Sequence, residues 1–280
     1  MRLGVHISGV NKLSQAFGQA AKLGCNTMQI FSRNPQRWRQ SSLPAEEIAE
    51  FRSQQKKYKI SPVFIHIPYL INLASPDVKL YKASIAAYIE DILEASALGA
   101  DYIVTHMGSH KQTSEEEGLK RLIEALNTII EKTQAAKVGI LLENTAGSGS
   151  WLGYKFIHQK SVLDAIKQKE RVALCLDTAH AYLAGYDLAT KEGFKNTLEE
   201  IENLVGLDQI KLIHLNDARG TLGCHHDRHD HIGKGAIGKE GMKRIVTSPK
   251  LKKCAFILET PKDDETSDQI NLATVRKFFK

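Results

Sequence analysis

The sequence predicts an α/β protein made of a single (β/α)8 barrel, or TIM barrel, domain over residues 1–280. Three observations predict this fold. The chain has 280 residues, which is the size of one such barrel. Short apolar, β-branched runs alternate with longer helical patterns along its whole length. Counting gives eight runs of each kind in strict alternation, as a barrel of eight βα units requires.

The predicted strands are near-continuous hydrophobic runs, which is typical of parallel strands that are covered on both faces. Each run is short and rich in branched aliphatic residues. In chain order they cover residues 3–8, 27–31, 63–67, 102–106, 139–143, 172–177, 210–215 and 255–259.

The predicted helices fill the intervals that follow these runs. They cover residues 13–23, 45–58, 78–98, 116–135, 162–168, 194–205, 239–247 and 269–279. Gly24, Gly99 and Gly206 directly follow the last apolar residue of three of these helices. A glycine in a left-handed conformation commonly ends a helix at this position.

A doubly wound open sheet is the alternative α/β arrangement. Such a sheet usually carries a GxGxxG phosphate loop after its first strand. Residues 8–12 read SGVNK and contain no such motif. The sequence also contains no linker, low-complexity segment or close repeat, so a single barrel domain is the simpler interpretation.

The composition narrows the class of protein. The net charge is +6, from 38 Lys and Arg against 32 Asp and Glu, and this is compatible with a polyanionic partner. The four cysteines form no CxxC pair, which argues against a zinc ribbon, a redox dithiol or a disulfide framework. No apolar run is long enough for a transmembrane helix, and the N-terminus reads as a strand rather than a signal peptide. We therefore expect a cytoplasmic protein with no membrane partner.

The eleven histidines are the unusual feature of the composition, and several of them fall at the ends of strands. Six consecutive predicted strands end at or near a side chain that can bind a metal: His66, His106, Glu143, Asp177, His214 and Glu259. The C-terminal ends of barrel strands converge on one mouth, where active sites form. Carboxylates crowded there would repel one another, and divalent cations relieve that repulsion. Imidazole and carboxylate ligands suit Zn²⁺, Mn²⁺ or Fe²⁺.

Two loops add further candidate ligands. His180 follows Asp177 by three residues, on the turn after the sixth predicted strand. The polar loop 216–235 contains Asp227 and His229, which would face the same side of an extended segment. Nine candidates, at three or four ligands per ion, predict two or three metal ions at the mouth.

At these residues the chain resembles the endonuclease IV family of zinc-dependent apurinic/apyrimidinic endonucleases. The likeness extends over nearly the whole chain, and the family's (β/α)8 barrel agrees with the strand count. The matching segments are ENTAGSGSWLG (143–153), CLDTAHAYLAGYDL (175–188), HLNDARGTLGCHHDRHDHIGKGAIG (214–238) and ILET (257–260).

The resemblance implies a trinuclear zinc site, with Mn²⁺ acceptable at one position. Glu143 would be the carboxylate that bridges two ions. The other ligands would fall into three sets: His66 with His106, then Asp177 with His214 and Glu259, and finally His180 with Asp227 and His229.

The activity implied by the resemblance belongs to base excision repair. The enzyme would hydrolyse the phosphodiester 5′ to an abasic site in duplex DNA and leave a 3′-hydroxyl and a 5′-deoxyribose phosphate. Glu143 and Glu259 would be its catalytic carboxylates, and Glu259 would orient or deprotonate the nucleophile. We expect a monomer, associated with the nucleoid if the source is bacterial.

The loop after the second strand, SRNPQRWR (32–39), is predicted to contact DNA. Its cations can meet phosphates, and Trp38 can stack or wedge between bases. Asn34 and Arg37 are the other predicted contacts in this loop. Where the family commonly has an arginine two residues before the tryptophan, this chain has Gln36, followed by Arg37.

Tyr69, three residues after His66, matches the tyrosine with which the family enters the DNA stack. An abasic site is easy to distort because one base is already missing, so shape can supply selectivity. The alternative interpretation is that Tyr69 and Trp38 only pack over their own loops.

Two other functions share some of these features. A xylose-isomerase-like sugar isomerase or epimerase has the same barrel and a metal mouth, but it needs fewer metals. The extra ligands and the basic aromatic loop argue against it. A metal-stabilised DNA-binding protein without catalysis would be expected to have a broken ligand set, and none of the nine candidates is missing.

Overall fold

The computed structural model describes residues 1–38 and 42–279, and a closed barrel of parallel strands lies at its centre. The strands are β1 (Arg2–Ile7), β2 (Met28–Phe31), β3 (Val63–His66), β4 (Tyr102–His106), β5 (Gly139–Glu143), β6 (Val172–Asp177), β7 (Ile210–His214), β8 (Asp217–Ala218), β9 (His229–Asp230) and β10 (Ala255–Leu258). The barrel closes in the order β1–β10–β7–β6–β5–β4–β3–β2, while β8 and β9 form a small antiparallel ribbon. The predicted barrel is confirmed.

Helices follow the barrel strands and pack around them. They are α1 (Ala16–Lys22), α2 (Ala45–Tyr58), α3 (Val78–Leu98), α4 (Glu115–Lys132), α5 (Phe156–Ala165), α6 (Thr178–Leu183), α7 (Lys191–Leu204), α8 (Gly238–Thr247) and α9 (Ser267–Lys277). Gly24, Gly99 and Gly206 all have positive φ angles, as predicted for glycines that end helices. Within the described part of the chain, none of the helices is long and apolar enough to cross a membrane.

The prediction of strict alternation was wrong at α6. This short helix begins directly after β6, because the Asp177 carboxylate caps it by accepting a hydrogen bond from the His180 main-chain N–H at 2.8 Å. Six residues are too few for a helical period to show in the sequence. The ribbon of β8 and β9 was also missed, since each of its strands has only two residues.

The fifth helix was predicted over 162–168, but it runs from Phe156 to Ala165. Two polar residues in its first turns hid the pattern, although both are buried. His158 Nδ1 accepts a hydrogen bond from the Gly153 N–H at 3.0 Å, and Gln159 donates to the Gly153 carbonyl at 2.9 Å. These bonds allow a polar pair to occupy the inward face of the helix.

Side-chain alternation along the strands decides what reaches the mouth. An inner layer of apolar residues fills the barrel: Phe64, Val104, Leu141, Ala173, Cys175, Leu212, Ala255 and Ile257. Because a strand points every second side chain to the same face, the inward position next above this layer is fixed on each strand. Six of the nine metal-binding candidates, those at the strand ends, occupy these positions and lie above an apolar floor. His180 comes from α6, and Asp227 and His229 come from the loop at β9.

Candidate metal centre

Each barrel strand carries an inward polar side chain at or near its C-terminal end. Strand by strand, these are His6, Gln29, His66, His106, Glu143, Asp177, His214 and, just beyond β10, Glu259. On β2 the next inward residue after Gln29 is Phe31, whose ring centroid lies 4.6 Å from that of His6 and 5.6 Å from that of His66. Most are almost fully buried, and Glu143, Asp177 and His214 expose none of their surface. The structure therefore brings together all six strand-end residues that the sequence predicts, and adds His6 and Gln29 to them.

The first cluster consists of His66, His106 and Glu143, whose potential ligand atoms all lie within 4.8 Å of one another. Glu143 Oε2 is 3.1 Å from His66 Nε2 and 3.3 Å from His106 Nε2. His66 Nδ1 donates to the Ile67 carbonyl at 2.7 Å, so a neutral His66 directs its Nε2 lone pair at the carboxylate.

The central cluster consists of Glu143, Asp177, His214 and Glu259, again with ligand atoms within 4.8 Å of one another. His214 Nδ1 lies 2.9 Å from Glu143 Oε1 and 3.3 Å from Glu259 Oε2. The two oxygens of Glu143 therefore face different clusters, Oε2 the first and Oε1 the central one. A carboxylate placed in this way can bridge two cations.

The outer cluster consists of Asp177, His180 and His229, with Asp227 beside them. His180 Nδ1 donates to the Asn144 carbonyl at 2.9 Å, and His229 Nδ1 donates to the Glu259 carbonyl at 3.0 Å. Both Nε2 atoms then carry lone pairs, and they face each other at 3.4 Å. Asp227 Oδ1 lies 3.1 Å from His180 Nε2, and the Asp227 side chain is about half exposed.

The way in which these acceptor atoms face one another shows whether a metal ion fits the site. Two imidazole lone pairs and a carboxylate that face one another without a donor are unfavourable, unless a proton or a cation lies between them. Imidazole nitrogen and carboxylate oxygen form the donor set of these three adjoining clusters. Cys175 Sγ also lies within 4.8 Å of ligand atoms of Glu143 and His214, but burial raises the pKa of its thiol and favours the neutral form. These residues therefore fit divalent zinc, manganese or iron.

The electrostatics of the clusters agree with cation sites. Burial alone would lower the pKa of His180, but the Asp177 and Asp227 carboxylates outweigh it and raise that pKa to about 10. Burial would raise the pKa of Glu143, but positive charge on His214 and His106 lowers it well below its ordinary value. Positive charge held among these carboxylates is therefore strongly favoured, whether a proton or a metal ion supplies it.

Two asparagines that the sequence analysis did not single out hold the ligands in place. Asn144 accepts from the Asp177 N–H at 2.7 Å, and its own amide donates to the Asp177 carbonyl at 3.0 Å. Asn216 donates to Asp177 Oδ2 at 2.7 Å and accepts from the Glu259 N–H at 2.8 Å. Their positions in the sequence could have identified them, because Asn144 directly follows Glu143 and Asn216 lies two residues after His214.

The predicted DNA-contacting residues lie at the rim of the mouth or on the loop after β2. Tyr69 is 62% exposed, and its ring centroid lies 6.1 Å from that of His66. Trp38 is 38% exposed, and Arg37 is also exposed. Asn34 is exposed as well, but its side-chain oxygen accepts from the Gln36 N–H at 2.9 Å and so shapes the loop itself. Arg39 lies outside the described residues.

Arg33 is not available for phosphates, contrary to the expectation for the cations of this loop. Its guanidinium donates to both Asp91 oxygens, at 2.6 and 2.8 Å, and to the Arg37 carbonyl at 2.6 Å. The Arg33 and Asp91 side chains are only 7% and 3% exposed. Arg33 therefore fastens the loop to α3 instead of facing solvent.

Comparisons of sequence agree with the barrel and the site. A family model described as a xylose isomerase-like TIM barrel matches residues 17–278. The chain is 41% identical over 276 residues to a probable endonuclease 4 of Methanoculleus marisnigri, covering 99% of this chain and 98% of that protein. It is 40% identical over 280 residues to a probable endonuclease 4 of Chloroflexus aurantiacus, covering 100% of this chain and 98% of that protein.

Solved structures give the same picture. The crystal structure of endonuclease IV from Thermus thermophilus matches with a TM-score of 0.86 and 34% identity, over 100% of this chain and 99% of that one. A D-tagatose 3-epimerase-like protein matches with a TM-score of 0.74 and 20% identity, over 100% of this chain and 97% of the other. At that identity the second likeness shows only that the fold is shared.

Proposed function

This chain belongs to the endonuclease IV family, and from that premise we propose that it is a zinc-dependent DNA-repair endonuclease that incises duplex DNA 5′ to abasic sites. The products are a 3′-hydroxyl and a 5′-deoxyribose phosphate. One observation carries the proposal: nine imidazole and carboxylate side chains converge at the barrel mouth in three adjoining clusters, with acceptors facing acceptors.

The three clusters are the proposed zinc sites. His66, His106 and Glu143 would hold one ion, and Glu143, Asp177, His214 and Glu259 would hold a second. His180, Asp227 and His229 would hold the third. When bound, zinc ions lower the pKa of a coordinated water to near neutrality and stabilise charge that develops on the phosphate.

Glu259 is the carboxylate that we propose to orient the nucleophile. About a fifth of its side chain is exposed at the mouth, whereas Glu143 and Asp177 are covered. Burial would raise the pKa of Glu259, but His214 and His6 outweigh it and hold that pKa far below its ordinary value. An ionised, accessible carboxylate can accept a hydrogen bond from an attacking water and hold it in line with the phosphorus.

The rim of the mouth supplies the proposed DNA contacts. Tyr69 projects beside the first cluster, where an aromatic ring can fill the gap left by a missing base. Trp38 and Arg37 extend from the loop after β2, where they can reach the bases and the phosphate backbone.

The proposal is tested with a duplex that contains one tetrahydrofuran abasic analogue. Zinc-loaded protein should nick it on the 5′ side and leave a 3′-hydroxyl, without added magnesium. The analogue blocks β-elimination, so a lyase could not produce the same result. Treatment with a strong chelator should abolish nicking, and zinc should restore it.

Two results would overturn the proposal. Fully zinc-loaded protein could leave the duplex intact while isomerising a sugar, which would favour the isomerase alternative. It could instead bind the damaged duplex without cutting it, which would favour a binding protein.

A further inference from the structure

Gln29 is a fully buried side chain of β2 that the mechanism above does not use. Its strand supplies no candidate metal ligand. The Gln29 side chain crosses the mouth above β1 and reaches Glu259 beyond β10 and His214 on β7. A fully buried amide needs partners, and both of these partners belong to the central cluster.

The hydrogen bonds fix which way the amide points. Gln29 Nε2 donates to Glu259 Oε1, at 2.5 Å. The same nitrogen lies 2.9 Å from His6 Nδ1, which is itself 3.3 Å from Glu259 Oε1. Gln29 Oε1 must then accept from His214 Nε2, at 2.8 Å.

This orientation determines the tautomer of His214. With its proton on Nε2, a neutral His214 carries its lone pair on Nδ1, the atom that faces Glu143 Oε1 and Glu259 Oε2. The other nitrogen could serve a metal only if this hydrogen bond were broken. Partners of this kind orient metal-binding imidazoles and raise their basicity.

We propose that Gln29 is a positioning residue that sets the tautomer of His214 and steadies the Glu259 carboxylate, and thereby strengthens metal binding at the central cluster. One amide thus orients two ligands from two strands. His6 Nδ1 lies beside both members of this pair, 2.9 Å from Gln29 Nε2 and 3.3 Å from Glu259 Oε1. This inference rests on the proposed zinc site.

The test compares Gln29→Leu with Gln159→Leu. Gln159 is an equally buried glutamine, but it donates to the Gly153 carbonyl and takes no part in the clusters. We expect Gln29→Leu to weaken binding of one zinc ion by about 10- to 100-fold in competition with a chromogenic chelator. Gln159→Leu should keep the zinc affinity of the wild type.

A second readout follows the tautomer directly. In long-range ¹H–¹⁵N spectra of the zinc-loaded protein, the His214 ring should show its proton on Nε2 in the wild type. In Gln29→Leu the Nε2–H resonance should move upfield and exchange faster with solvent, because its hydrogen bond to Gln29 Oε1 is lost. Gln29→Met keeps the length of the side chain but neither donates nor accepts here, so it should weaken zinc binding as Gln29→Leu does.

The outcomes separate this inference from the proposed function. If the wild type binds no zinc, the proposed metal site fails. If the wild type binds zinc and Gln29→Leu matches it in zinc affinity and in the His214 Nε2–H resonance, the role of Gln29 is wrong. If Gln29→Leu does not fold, unchanged zinc affinity in Gln29→Met overturns it instead.

Discussion

Glu143 is the residue on which the candidate site depends most. It is fully buried at the end of β5, and its two oxygens face imidazoles of different clusters. A buried carboxylate in such a position must be compensated by positive charge on both sides. This explains why a single residue can connect two sites that neighbouring strands build.

We therefore predict that Glu143→Gln abolishes incision while the barrel stays folded. The amide keeps the size of the side chain, but it removes the charge and places a donor against one cluster. The loss should exceed the roughly 10- to 100-fold that removal of a hydrogen-bond partner behind a ligand costs. Nicking rates of the tetrahydrofuran duplex measure it, with circular dichroism as the check on folding.

Glu202→Gln is a suitable control for that variant. Glu202 lies on the outer helix α7, where it accepts from the Leu207 N–H. It should incise at the wild-type rate. Turnover by Glu143→Gln close to that of Glu202→Gln would remove Glu143 from its bridging role.

Asp227 is the most exposed of the candidate ligands, with about half of its side chain in solvent. It holds the outer cluster from a loop rather than from a strand end. We predict that Asp227→Asn lowers the zinc content by one ion per chain and leaves the other two in place. Elemental analysis of the purified variant checks this, and retention of the full wild-type zinc content would contradict it.

Among the elements, the barrel strands were predictable because their apolar runs are covered on both faces. Six of the eight also end at or near a charged or imidazole side chain. The sequence did not single out Gln29. A single uncharged amide inside the apolar run Met28–Phe31 looks like a polar residue that the strand merely accommodates. Only the closed barrel shows that it points inward to Glu259. Residues that support ligands across strands therefore require the three-dimensional register.

The loop after β2 shows a second limit of the sequence. Arg33 and Arg37 look equivalent in the sequence, but Asp91 comes from α3, 58 residues away, and takes Arg33 out of solvent. A long-range ion pair of this kind leaves no local pattern. Of the two arginines, Arg37 thus remains the one with an exposed side chain.

We predict that Arg33→Lys weakens DNA binding without changing the chemistry. Lysine keeps the charge, but it cannot donate to both Asp91 oxygens and the Arg37 carbonyl at once. Loss of one charge-assisted hydrogen bond, about 1.5 kcal/mol, would let the loop move and raise KM for the abasic duplex about tenfold. The value of kcat and the zinc content should stay as in the wild type.

Arg244→Lys is the control for this loop variant. Arg244 lies on α8 and donates to the Ala189 carbonyl at 2.9 Å, with no contact to the loop after β2 in the described residues. Its KM should not change. A fall in kcat or loss of zinc from Arg33→Lys would assign Arg33 to the metal site rather than to the loop.

The closed barrel brings more carboxylates close together than a protein interior normally holds. Residues from β3 to β10, far apart in the chain, place five imidazoles and four carboxylates at one mouth. The apolar layer beneath them prevents the strand ends from relaxing apart. Metal ions and protons therefore compete for the same ligand atoms. As a result, the free energy of unfolding should depend on pH differently with and without the metal.

The sign of this dependence follows from the pKa shifts. The pKa of His180 rises from 6.5 to about 10, so its contribution to the stability of chelator-treated protein is fully present below pH 6.5 and is lost as the pH rises toward 10. His66 and His214 act in the same direction. The pKa of Asp227 falls from 3.8 to about 2, so its contribution is present above pH 3.8 and lost on acidification. His6 and His158, whose pKa values burial lowers, oppose folding below pH 6.5.

We therefore predict that chelator-treated protein loses stability between pH 6.5 and pH 10, whereas zinc-loaded protein does not. Zinc binds deprotonated imidazole, so its binding strengthens over the interval in which the stabilising protons are lost. The difference in Tm between the two forms should widen as the pH rises. Thermal melts of both forms across this interval measure it. Parallel curves would mean that the protons and the metal do not share the same ligands, and the three clusters would then not be the zinc site.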